Sequence, residues 1–68
     1  MEDYVKELGF KINSFPGPDQ TEWRHPVSRM KLIYDERKDQ WYFQWGTYEK
    51  TTVNNAMHLD NIMRVLHI

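Results

Sequence analysis

An indole, a guanidinium and an imidazole stand in consecutive positions at Trp23, Arg24 and His25, just before Pro26. Trp and Arg are the side chains most enriched at binding hot spots, so this segment reads either as an interface anchor or as a packing cap, with Trp23 closing the open edge of a core. A second cluster is the run Trp41-Tyr42-Phe43-Gln44-Trp45. Aromatics on a sheet can stack nucleobases, but alternation along a strand puts Trp41, Phe43 and Trp45 on one face and leaves Tyr42 alone on the other. The three are expected in the core. A third set, Lys11, Arg29, Lys31 and Tyr42, would give a basic sheet face with one aromatic, a surface that could contact phosphate. Charges on a solvent face are also ordinary protection against edge-to-edge aggregation.

Other chemistries are poorly supplied. The histidines, His25, His58 and His67, lack the i, i+3 or i, i+4 spacing of a metal site on one helix, and His67 is accounted for by the dipole of a helix C-terminus. No metal site is expected. With no cysteine, thiolate zinc, iron–sulfur clusters and thiol catalysis are excluded. Gly9, Gly17 and Gly46 lie apart, so there is neither a nucleophile elbow nor a phosphate-cradling loop. Asp19, Glu22 and His25 could form an acid–base cluster, but a body this small is not expected to offer a concave pocket for it. The expectation is a non-enzyme without a cofactor and without catalytic residues.

The 68 residues suffice for one domain, and 40% hydrophobic with 15% aromatic residues takes the chain far from the disordered class. Aromatics can each bury about 150–250 Å², which helps a core that no disulfide supports. Nine basic against ten acidic side chains give a net charge of −1, without the basic excess of a typical DNA-binding domain. Residues 1–10 mix charged with apolar side chains, so no signal-peptide core is expected there, nor is any apolar run long enough to span a bilayer. A cytoplasmic location is the expectation.

The elements that must position these side chains follow from patterning. Residues 3–8 suit a short helix stopped at Gly9, with Phe10 folding back as in a Schellman cap. Residues 10–15 suggest an edge strand with Phe10, Ile12 and Ser14 on one side. Residues 16–28, with three prolines, suggest a long ordered loop, with room for a helical turn at 19–23 capped by Asp19. The clearest element is a hairpin over residues 29–45. A four-residue loop at 36–39 sets Asp35 against Gln40, Tyr34 against Trp41, Leu32 against Phe43 and Met30 against Trp45, and a one-residue slip would destroy that pattern. Residues 46–50 connect to a C-terminal helix capped by Thr51 or Thr52. On that helix Ala56, Leu59, Ile62, Met63 and Leu66 share an arc of roughly 120°. Met57, Asn61, Arg64, Val65 and Ile68 fall outside it, and Met57, Asn61, Arg64 and Ile68 form a ridge that could pair two copies about a two-fold axis.

The fold expected is therefore α+β: a small three-stranded, largely antiparallel sheet with a C-terminal helix and a short N-terminal helix packed on one face. The expected function is a protein-interaction module that occupies a surface of a larger partner, in the manner of an inhibitor, through Trp23, Arg24, His25, Tyr42, Met57 and Arg64. The alternative is a nucleic-acid-binding accessory protein using Lys11, Arg29, Lys31 and Tyr42. A homodimer through the outer ridge of the C-terminal helix is compatible with either, and no membrane is expected to be involved. In size, aromatic content and lack of catalytic motifs the chain resembles, in a general way, the small accessory and inhibitor proteins of bacteriophages. Trp23 and Trp45 come close to the spacing of a WW domain, but the proline that should follow the second is missing.

Overall fold

The alternation of apolar residues over 30–45 forms the hairpin in the expected register. β3 (Met30–Asp35) and β4 (Gln40–Trp45) are antiparallel, with Met30 against Trp45, Leu32 against Phe43, Tyr34 against Trp41 and Asp35 against Gln40. Tyr34 closes the turn by donating its hydroxyl to Asp39 Oδ1 at 2.6 Å. The computed structural model describes residues 1–66.

The sheet has five strands, not three, in the order β1-β2-β3-β4-β5, an antiparallel meander. β1 (Lys11–Ser14) is the expected edge strand. β2 (Gln20–Arg24) replaces the centre of the expected loop and the helical turn at 19–23. Pro16, Pro18 and Pro26 bracket this segment without entering it, so no ladder donor is lost. Thr21 and Trp23 face inward, opposite Tyr34 and Leu32. β5 (Thr51–Val53) replaces the expected helix cap. Three consecutive β-branched residues favour extended backbone, and the cap moves to Asn55, whose Oδ1 accepts the His58 N–H at 2.8 Å.

Helix α1 (Glu2–Glu7) ends as expected. Gly9 takes a φ of +97°, its N–H bonds the Lys6 carbonyl, and Phe10 N–H reaches the Val5 carbonyl at 3.3 Å, the two bonds of a Schellman motif. Helix α2 (Ala56–Val65) buries Leu59 and packs Ile62 and Met63 on the core. Both helices contribute to one cluster with the inner sheet face: Val5, Phe10, Trp23, Met30, Leu32, Phe43, Val53 and Leu59. Trp41 and Trp45 pack on its margin. The helices also meet each other, the Tyr4 hydroxyl lying 3.5 Å from Asp60 Oδ1.

One edge departs from simple alternation. The pairing with β2 shifts between Ile12 and Ser14, so Asn13 is an extra residue, a β-bulge that re-aims its neighbours. Both Asn13 and Ser14 consequently reach Glu22 on the outer face.

Candidate functional site

The residues singled out from sequence are not brought together. Trp23 is 3% exposed and lies in the core beside Trp41, ring centres 6.3 Å apart, which is the packing reading of that side chain. That burial leaves little of the indole for a partner to touch. Arg24 is exposed and donates from Nε to Glu22 at 3.2 Å. His25 stands edge-on to Phe10, and its Nδ1 accepts the Val27 N–H at 3.3 Å. Tyr42 is half-buried on the outer sheet face, whereas Met57 and Arg64 are exposed on α2, with Arg64 held 3.0 Å from Asp60. His67 and Ile68, the latter completing the expected ridge, lie outside the described residues.

The basic face carries its own counter-ion. Strand parity puts Lys11, Arg24, Lys31 and Tyr42 on the outer side of the sheet, but Glu22 lies among them, almost fully buried. Its carboxylate accepts from Asn13 Nδ2 at 2.7 Å, Ser14 Oγ at 3.1 Å and Arg24 Nε at 3.2 Å, and faces Lys31 Nζ at 3.7 Å. Burial alone would raise the pKa of this carboxyl. The bonds from Asn13, Arg24 and Ser14 outweigh burial and hold it below the usual carboxylate value. Two of the exposed-face cations are therefore already paired with an anion, which lowers their net attraction for phosphate.

An open, apolar-lined groove lies elsewhere, between α2 and the turn that joins β4 to β5. This groove has a volume of about 590 Å³, within the range of about 300–1,000 Å³ typical of ligand clefts, and Asp19, Glu22 and His25 take no part in its lining. Phe43, Trp45 and Ile62 line it from the sheet and helix, and Tyr48, Val65 and Leu66 add apolar surface. Tyr48 is 72% exposed and Val65 77%. His58, Asn61, Ile62 and Val65 follow i, i+3, i+4, i+7, so one flank of α2 forms a wall.

The other wall is a held turn. Gly46 has a φ of +56°, and its N–H bonds the Arg29 carbonyl at 3.1 Å. Tyr48 N–H returns to the Trp45 carbonyl at 3.0 Å, while Gln44 reaches from the outer sheet face to donate Nε2 to the Tyr48 carbonyl at 2.6 Å. On the helix side His58 Nδ1 accepts the Asn54 N–H at 3.1 Å. A ring that accepts through Nδ1 keeps its proton on Nε2, so His58 carries a donor at the groove wall.

Sequence reasoning gave no role to Tyr48, placed Ile62 in the core-facing arc and left Val65 outside it; the helical spacing of His58, Asn61, Ile62 and Val65 is the signal that could have shown them as one wall. Among the described residues no group of three or more His, Asp or Glu side chains is arranged to hold a metal ion, and no helix is long and apolar enough to cross a membrane. The chain matches no protein-family model, and no curated protein or solved structure matches it either.

Proposed function

We propose that this protein is an interaction module that engages a larger protein partner by taking an apolar segment of it into the groove between α2 and the β4–β5 turn. One observation carries the reading: Tyr48 and Val65, both more than two-thirds exposed, flank a groove lined by Phe43, Trp45 and Ile62. Large aromatics beside a hollow are what interface anchors use, and the hydrogen-bonded turn lowers the ordering cost of binding. A partner segment held there is withheld from its other contacts, which is how occupancy would inhibit. The basic sheet face is the weaker candidate because Glu22 sits among its cations.

The test is selection from a displayed library of random dodecapeptides against the immobilised protein, followed by titration of the selected peptides against the parent and a Val65→Glu variant. Val65 is so exposed that the substitution should change stability by no more than about 0.5 kcal/mol. Peptides selected on the parent should bind the variant more than about tenfold more weakly, a loss of about 1.4 kcal/mol. Equal affinity for both proteins removes the groove as the site.

A further inference from the structure

Resting on the groove reading above, we infer that the segment it takes is an apolar peptide bearing a basic side chain next to its apolar anchors, with Glu49 as the residue that reads the charge. Among the described residues that line the groove, Glu49 is the one with a formal charge; the others are Phe43, Trp45, Ile62, Val65, Leu66 and neutral polar or aromatic side chains. Nearby cations do not cancel it within the lining. Arg64 is turned to Asp60 at 3.0 Å, and Lys50, though adjacent in sequence, does not line the groove.

Glu49 is exposed, and no hydrogen bond or ion pair engages its side chain among the described residues. Its neighbour in the turn is differently placed: the Tyr48 carbonyl is taken by Gln44, which fixes the backbone from which Glu49 projects. On the helix side His58 offers an Nε2 donor. The walls thus present a carboxylate on the turn and an imidazole N–H on the helix. The complement is a cation beside the turn and a peptide carbonyl beside α2, with apolar side chains between. An acidic segment would meet Glu49 as a like charge, which opposes binding.

The experiment repeats the dodecapeptide selection on the parent and on Glu49→Lys, with Glu49→Gln as the uncharged control. Peptides from the parent should carry Lys or Arg beside paired apolar residues. They should bind Glu49→Lys about tenfold more weakly, with Glu49→Gln between, and selection on Glu49→Lys should recover Asp or Glu at that position. Apolar peptides that show no charge preference, or the same basic preference on Glu49→Lys, overturn the role of Glu49 while leaving the groove standing. Peptides that bind Val65→Glu as well as the parent overturn the groove itself. A parent that runs as a dimer and returns to one 8.3 kDa chain in Val65→Glu assigns the groove to a second copy, which also overturns the inference.

Discussion

Replacing Glu22 with Gln separates the charge of the buried carboxylate from its shape. In the parent, Oε2 accepts three bonds, from Asn13, Ser14 and Arg24, and Oε1 faces the half-buried Lys31 ammonium at 3.7 Å. Glutamine can keep its oxygen toward Asn13 and Ser14, but those bonds become neutral ones, and its amide N–H₂ is then set against a cation. Bonds to a charged group contribute about 1.5–3 kcal/mol against about 0.5–1.5 for neutral pairs, while the Arg24 pair, whose guanidinium side is 58% exposed, adds less than about 1 kcal/mol. The variant should lose about 1–2 kcal/mol. For a domain of this length that lowers Tm by roughly 4–15 °C. The sign with pH follows from the lowered pKa. A carboxyl whose folded pKa lies below its unfolded value stabilises the fold above the unfolded pKa and loses that contribution as pH falls through the folded one. The gap between parent and variant, measured by urea unfolding followed through tryptophan fluorescence, should therefore be full at neutral pH and close in acid below the folded pKa. A gap that is absent at pH 7, or that persists unchanged in acid, refutes the assignment of Glu22 as the anion holding the bulged edge strand to the sheet.

Phe43→Ala should cost about 3–5 kcal/mol, as much as a core this small supplies, so thermal melts of the variant should show no cooperative transition. Gly46→Ala meets no atom within 4 Å, so its cost is that of a non-glycine residue at φ +56° alone, about 1–2 kcal/mol. Gly46→Asn should recover part of that loss, because Asn tolerates the left-handed region; an Asn variant as unstable as the Ala variant in the same melts would show that something other than backbone conformation is at fault.

The parts of the fold that could be read from sequence are those governed by local periodicity. The hairpin register follows from Met30, Leu32 and Tyr34 meeting Trp45, Phe43 and Trp41 with a four-residue turn, and the end of α1 follows from Gly9 and Phe10. β2 was hidden because Pro16, Pro18 and Pro26 crowd it, and because its inner face shows only Thr21 and Trp23, too few for a pattern of period two. β5 was hidden because Thr51 and Thr52 are also good helix caps, and two residues of the same type fit either role until the partner strand is known. The bulge at Asn13 has no sequence signature of its own. Glu22 falls in the segment expected to be loop, where it reads with Asp19 and His25 as an acid–base cluster and nothing marks it as the buried anion of a strand. The groove was invisible for a different reason. It is a gap between α2 and a turn, created by how the helix lies on the sheet, and no residue spacing encodes an empty volume.

The most direct test of the groove as the binding surface is a ¹H–¹⁵N NMR titration of the parent with a peptide selected on it. Amide shifts concentrated at Trp45, Tyr48, Glu49, Thr51, His58 and Val65 are the predicted result. Shifts confined to Lys11, Arg24, Lys31 and Tyr42, with the groove amides unmoved, would contradict it and move recognition to the opposite face of the sheet.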